Sequence, residues 1–397
     1  MGKIEIDHTG SGSGITLSSD GTSLLLDGTA VGGGGGDPDL YRDNASGATT
    51  PTASGTNAVA IGTNAQATNT NAVAITRNAV ASGISSFAVG NNAAATSTNA
   101  IAIGSNTDAT ERAVAIGGAG AQALQQNTTA IGSSSSSQPA TCPFGGGAGA
   151  IALGGSYATG TDSFAAAIAN NTSSYGSSGA NSVSIGNSTK ADGSNAVAIG
   201  SSFTRASGSL SLALSRDSHA SGTRSVAIGG GEAEGDNSFA LGLNAKTEVY
   251  GKFAYASSRF SAVGDAQGGQ FILRADTTDA TAESLTTTNA SPTYYNQVSL
   301  NNNSAFAFHG TIVARESATD GTDCAAWKIE GLIRRENGQA STVLVNSATT
   351  VLSNTPSWGM ALSANTSTGS LKIEVTGAAS TNIRWVATIQ TSEVIYA

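Results

Sequence analysis

The hexapeptide NAVAIG stands at residues 57–62 and returns unchanged at 195–200. Near-copies lie between and beyond: NAIAIG at 99–104, NSVSIG at 181–186 and NSFALG at 237–242. From Gly62 to Gly242 the residue closing the phrase recurs about every fourteen positions, in thirteen copies. So short a period constrains the fold more than any other property, because each period must form the same unit and stack on its neighbour. Helical repeats need roughly 33 residues or more. Fourteen is two heptads, but glycine in every period, abundant Asn and Ser, and β-branched Val and Ile oppose a coiled coil.

Within the phrase the large residues alternate, Val59 and Ile61 on one face and Ala58 and Ala60 on the other, which is strand periodicity. Val73 and Ile75, Ile101 and Ile103, Val114 and Ile116, Val183 and Ile185, Val197 and Ile199, and Val226 and Ile228 repeat it. A weaker strand of small residues follows in some copies, at Ala65 and Ala67, Ala93 and Ala95, and Ala119 and Ala121. Strand, Gly turn, small-residue strand, turn: the repeat predicts a parallel β-solenoid. Coils ~4.8 Å apart would make a section roughly 60 Å long. The expected repeat core is the Val and Ile set, filling each coil. The expected turn glycines are Gly62, Gly90, Gly104, Gly186, Gly200, Gly229 and Gly242, at corners that need positive φ or close backbone approach. Asn and Ser suit the other corner, where their side chains can bond the backbone. One Val and one Ile make a thin core for fourteen ordered residues. The alanine face therefore has to pack on another chain, and the solenoid is expected to be an obligate oligomer.

Three zones follow. Residues 1–50 hold a hairpin signal, two short strands around Asp20-Gly21, then the linker GGGGG at 32–36; this zone reads as an attachment segment. Residues 51–250 hold the repeats, interrupted by SSSSSQPATCPFGGG at 133–147, which reads as a loop inserted at a corner. Residues 251–397 are more aromatic and more charged, with alternating runs such as GQFILRA, AFAFHGTIVARE and SLKIEVTG.

The unit NAVAIG with its trailing alanines resembles the YadA-like head repeat of trimeric autotransporter adhesins over roughly 57–245. That resemblance implies a homotrimer of left-handed parallel β-rolls. Other features depart from that family: the start MGKIEIDHTGSGSG lacks a signal-peptide core, no heptad stalk follows, and the end RWVATIQTSEVIYA lacks a membrane-barrel segment. The segments GDAQGGQFILRA, WKIEGLIRR, SLKIEVTG and IRWVATIQTSEV resemble the terminal β-sandwich module of phage tail-fibre proteins, and GITLSSDGTSLLLDGT more weakly resembles their N-terminal segments. Together the resemblances imply an all-β chain, a trimeric left-handed parallel β-roll shaft followed by a C-terminal antiparallel β-sandwich tip. They imply a phage tail fibre, made in the host cytoplasm, joined to other tail or capsid proteins through residues 1–50, and attaching to a host cell-surface glycan or protein by its tip. The alternative is a decoration or spike fibre with a purely structural role.

The chemistry is sparse. A net charge of −9 disfavours nucleic acid, and no apolar stretch approaches the roughly 20 residues of a membrane helix, so no membrane insertion is expected. The runs GSGSG and GGGAGAIALG lack a phosphate loop's Lys and helix; no cofactor is expected. Cys142 and Cys324 lie far apart and read as free thiols of unassigned role. His8, His219 and His309 fall in three zones, so no metal site is expected. The acidic corner GEAEGD at 231–236 reads as solvated, and the chain as non-enzymatic, because glycan hydrolysis needs paired carboxylates in a cleft. Trp327 and Trp385 sit in alternating strands and read as core. Tyr294 and Tyr295 follow a loop-like run and are the candidate receptor-binding residues.

Overall fold

The protein is described by a computed structural model covering residues 4–6, 15–19, 24–26, 29–30, 49–118, 120–132, 144–166, 174–317, 321–354 and 356–396. Among the described residues it is all-β apart from two short 3-10 turns. Contacts divide the chain into two compact units, Met1–Asn106 and Thr107–Ala397.

In the first unit, Ile15–Ser19 pairs antiparallel with Leu24–Leu26, with Leu17 opposite Leu26. These are the strands expected around Asp20-Gly21; the turn itself and the GGGGG run lie outside the described residues, as does His8. The repeats then form coils. Val59–Ile61, Val73–Ile75, Phe87–Val89 and Ile101–Ile103 lie parallel, and each residue faces its counterpart fourteen positions on, as Val59 faces Val73. The second strands, Gln66–Ala67, Val80–Ala81 and Ala94–Ala95, make a second parallel sheet.

What lies between these sheets differs from expectation. Ala60 is 5 % exposed, and Ala65, Ala67, Ala72 and Ala74 are 0 % exposed. Alanine, not Val and Ile, fills the coil. Val59, Ile61, Val73, Ile75, Ile101 and Ile103 point outward and are only partly buried. The same holds in the second unit for Val114, Ile116, Val183, Val197, Val226 and Ile228, while Ile185 and Ile199 are 36 % and 38 % exposed. The cause is the corner. Ala65 N–H donates to Gly62 O at 3.0 Å, closing a four-residue turn with Asn64 at φ 57°. Turns this tight hold the two sheets so close that single Cβ atoms occupy the gap, and a Val side chain fits only on the outside.

The corners also select their residues. Asn57, Asn64, Asn71, Asn78, Asn92 and Asn99 all sit at φ between 56° and 59°, a left-handed conformation that Asn tolerates better than most side chains. Three of them and Asn106 form an amide ladder: Asn64 Nδ2 donates to Asn78 Oδ1 at 3.1 Å, Asn78 to Asn92 at 3.0 Å, and Asn92 to Asn106 at 2.9 Å. Gly62, Gly90, Gly104, Gly186, Gly229 and Gly242 have φ between 79° and 139°. At Gly90 an added Cβ would stand 2.1 Å from Gly104 O. Gly200 is not left-handed; there the constraint is approach alone, an added Cβ standing 2.6 Å from Ser215 O.

The second unit repeats this arrangement from Asp108 onward, with Val183–Ile185, Val197–Ile199, Leu212–Leu214, Val226–Ile228, Phe239–Leu241 and Phe253–Tyr255 in parallel register. Its coil interior adds hydroxyls that bond one another, as Ser238 Oγ and Thr247 Oγ1 do at 2.7 Å. Of the insertion expected at 133–147, Phe144–Gly145 is a strand paired with Gln122–Ala123; residues 133–143, including Cys142, lie outside the described residues.

A two-sheet sandwich follows, whose strands we number β1 (Ala266–Thr277), β2 (Ala282–Ser284), β3 (Val298–Ser299), β4 (Ser304–Glu316), β5 (Cys324–Arg335), β6 (Val343–Asn354), β7 (Gly359–Asn365), β8 (Ser370–Thr376) and β9 (Ile383–Ile395). The large antiparallel sheet runs β1-β9-β4-β5-β6. In the small one β8 pairs with β7, β2 and β3. Inward residues alternate along each long strand, as the period-two pattern requires: Phe271 and Leu273, Phe306 and Ile312, Ile329 and Ile333, and Ile373 and Val375 share one core. All three tryptophans lie in it, with the Trp327 and Trp385 rings 5.7 Å apart and Trp358 5.8 Å from Trp385. Trp385 Nε1 donates to Thr277 Oγ1 at 3.0 Å, satisfying the one polar atom that burial would strand. Cys324 is exposed at the start of β5.

Residues 256–265 lead from coil to sandwich, yet the two are joined directly by a strand ladder. Phe253–Tyr255, the last coil strand, pairs antiparallel with β1, Phe253 opposite Gln270. Behind this ladder Lys252 Nζ stands 2.7 Å from Glu393 Oε2, their side chains 7 % and 0 % exposed. Gln267 Nε2 and Thr391 Oγ1 each donate to Glu393 at 2.7 Å, and Lys252 Nζ lies 5.3 Å and 5.8 Å from the Phe271 and Phe306 ring centres.

Candidate functional site

Where the last coil meets the sandwich an open groove of about 580 Å³ is lined by Glu234, Gly235, Asp236, Glu248, Tyr250, Tyr294 and Tyr295. Two features read separately from the sequence meet in it, the acidic corner at 231–236 and the tyrosine pair. The coils supply Glu234, Asp236, Glu248 and Tyr250; the sandwich supplies Tyr294 and Tyr295 on a 3-10 turn, Tyr294–Asn296. That turn is anchored to the coil by Tyr250 N–H, which donates to Tyr295 O at 2.8 Å.

The two tyrosines are not equivalent. Tyr294 is half-buried; its hydroxyl lies 2.8 Å from Asn301 Oδ1 and 3.0 Å from Glu248 Oε2. Burial foremost, then the Glu248 charge, hold that hydroxyl well above its usual range, so it stays a protonated donor. Tyr295 is 64 % exposed, and its ring meets that of Tyr294 edge-on at 5.3 Å between centres. Tyr294 is thus a structural prop, and Tyr295 offers the free aromatic face.

Two of the groove's carboxylates face one ammonium. Lys246 Nζ lies 3.2 Å from Glu234 Oε1 and 3.1 Å from Glu248 Oε1. Burial pulls the Lys246 ammonium down, but the two glutamates outweigh it and the net shift is upward. Asp236 Oδ1 accepts from Thr223 N–H at 2.7 Å. Exposed carboxylate acceptors beside an aromatic face suit a ligand with many hydroxyl donors and an apolar ring face. Among the described residues no group of three or more His, Cys, Asp or Glu side chains is placed to hold a metal ion. His219 Nε2 contacts Phe203 O at 2.9 Å one coil before the groove, and His309 is exposed on β4; neither lines the groove.

Glu248 and Tyr250 escape sequence reading, although a signal exists. The last two coils read EAEGDNSF and KTEVYGKF, where most earlier coils place Ser, Thr, Gly and Asn; the repeat departs from its own pattern where it contributes to the groove.

The YadA head domain repeat, in its two-copy form, matches residues 53–75, 81–107, 177–202, 206–231 and 232–248. No curated protein matches the chain. Similar solved structures include the tailspike protein gp49 of Acinetobacter baumannii bacteriophage Fri1, a capsular polysaccharide depolymerase, at 12% identity over 70% of this chain and 47% of that one, with a TM-score of 0.22. The tailspike of Acinetobacter phage vB_ApiP_P1 is 13% identical over 85% and 58%, with a TM-score of 0.20. That of Acinetobacter baumannii phage AM24 is 10% identical over 81% and 60%, with a TM-score of 0.19. The chain therefore spans about half to three fifths of their length, and at these scores the folds do not superpose as wholes.

Proposed function

We propose that the chain is one subunit of a homotrimeric phage tail fibre, joined to the virion by residues 1–50, that attaches to a host surface glycan without cleaving it. The assembly rests on the outward Val and Ile stripe. A soluble chain does not leave large apolar residues half-exposed on coil after coil unless something covers them, and a copy of the same chain matches their fourteen-residue spacing. The YadA head repeat match supports the same reading.

The observation that carries attachment is the groove. Tyr295 presents an aromatic face beside Glu234, Asp236 and Glu248. Binding is favoured over cleavage because hydrolysis needs a carboxyl that delivers a proton, whereas Glu234 and Glu248 are both ion-paired to Lys246. Tyr295→Ala tests it. With the side chain 64 % exposed, folding should be untouched, while adsorption of the purified fibre to host cells should fall roughly 10-fold or more, the worth of one stacked ring (about 1–3 kcal/mol by analogy with base stacking). Undiminished adsorption would remove the groove from the mechanism. Release of reducing ends from host capsule would replace attachment with depolymerase action.

A further inference from the structure

The coil closed by Gly200 carries a surplus residue at its next corner. The chain there reads SSFTRA into the second strand, where the preceding coil reads NSTKA. Lys190 pairs in register with Arg205 and Ala191 with Ala206. Ser202 N–H donates to Asn187 O at 3.0 Å, so the extra residue is Phe203. It sits at φ 71°, where glycine stands freely and a bulky side chain is strained. Phe203 is 61 % exposed, and its ring meets that of Tyr175 at 6.3 Å between centres. Tyr175 holds the position that Thr189 and Thr204 hold in the next two coils. Both threonines are 0 % exposed, whereas Tyr175 is only half-buried. His219, opposite Arg205 in the following coil, places Nε2 2.9 Å from Phe203 O. Residues 175–219 hold three cations, Lys190, Arg205 and Arg216, against two carboxylates, Asp192 and Asp217. Arg216 pairs with Asp217 at 3.0 Å. Lys190 Nζ and Arg205 Nη2 share Asp192 Oδ2, at 3.4 Å and 2.7 Å, which leaves one positive charge in excess.

We propose that Tyr175, Phe203, Lys190 and Arg205 form a second binding site, on the coils, for an oligosaccharide that carries uronic acids. Strain at an exposed ring gives the fold nothing, and strained backbone persists where a site uses it. An inserted residue at a bend re-aims a side chain, and the two rings offer an aromatic face to the apolar face of a sugar. The excess charge, with a guanidinium that matches carboxylate geometry, selects a sugar bearing an acid. The site lies two coils before Glu234 and needs neither the groove nor the trimer. Its charge is opposite in sign to that of the groove, where Lys246 answers both Glu234 and Glu248, so the two take different ligands.

The experiment titrates the full-length protein with oligogalacturonate and with a neutral malto-oligosaccharide of equal length, by calorimetry. The acidic oligomer should bind about tenfold more tightly or better, and less so as salt rises. Phe203→Gly relieves the left-handed strain, so its thermal midpoint should equal or exceed that of the parent. Its affinity for the acidic oligomer should fall roughly tenfold, the worth of one stacked ring. Arg205→Gln should bring the acidic oligomer down to the level of the neutral one. A lowered midpoint in Phe203→Gly would make the ring part of the fold and overturn the proposal. A changed sedimentation coefficient would also overturn it, by placing the ring at a contact between copies. So would a parent protein that binds both oligomers equally or neither, or acidic binding that survives Phe203→Gly. Acidic binding lost in Tyr295→Ala and kept in Phe203→Gly would assign that ligand to the groove instead.

Discussion

The Lys252–Glu393 pair makes the sharpest energetic prediction. Lys252→Met keeps the length of the side chain and its contact with Phe271 and Phe306 but leaves Glu393, fully buried, without its cation. At 2.7 Å and an effective dielectric near 20, the lost attraction is about 6 kcal/mol. Glu393 keeps two donors, Gln267 and Thr391, which offset part of this. Breaking such a pair from one side typically costs about 3–5 kcal/mol, and the remaining donors place the expectation near about 3. The loss should be local. Native-state hydrogen exchange at Phe253–Tyr255 and Gly268–Gln270 should report it, with coils before Leu241 unchanged. Lys252→Met with Glu393→Leu removes both charges and should return the joint to within about 1 kcal/mol of the parent, since replacing a whole buried pair is often near neutral. A single-variant cost below about 1 kcal/mol would refute the reasoning, because it would mean that water reaches the pair.

Two further predictions concern the shaft and the lead into β1. Ala198 is 0 % exposed inside its coil, so Ala198→Leu should lower stability by about 1–3 kcal/mol through overpacking, measured by denaturant midpoint. An unchanged midpoint would show that the interior has room and that Val197 and Ile199 could have occupied it. Asp265, 1 % exposed, accepts backbone N–H bonds from Phe260, Ser261 and Ala262 at 2.8, 2.6 and 2.7 Å. Burial alone would raise its carboxyl, but those donors prevail and lower it below 3.8. Its stabilisation is therefore complete above the ordinary carboxyl value and fades as pH falls through the depressed one. Asp265→Asn should flatten that acid limb of the melting-temperature profile; an identical limb in both proteins would assign it to other groups.

Much of the architecture was readable because the determinants are local. Period, strand identity, corner glycines and the placement of Trp327 and Trp385 all follow from a few neighbouring residues. Which face of the coil strand points inward was not readable, and size led to the wrong choice. Alternation separates Val59 and Ile61 from Ala60 but does not say which set is inside. The larger set is the ordinary core; here the spacing set by the corners at Gly62 and Asn64 overrides it. The groove was half-readable. Tyr295 stood out by its surroundings, but Tyr294 and Glu248 are 46 residues apart, and only folding brings them together. The exposure of β6 was hidden for another reason. STVLVNS reads as an ordinary strand, and nothing in its letters says that the sandwich leaves it uncovered.

The ladder between Phe253–Tyr255 and β1 has an evolutionary consequence. The joint is built only from the final coil and the tip, and every earlier coil in its unit presents the same parallel edge to the next. Gain or loss of one fourteen-residue unit would change the length of the solenoid by ~4.8 Å without altering a residue of the groove. Length can thus drift by duplication and deletion while the groove changes by point substitution, two traits carried in one reading frame yet free to be selected apart.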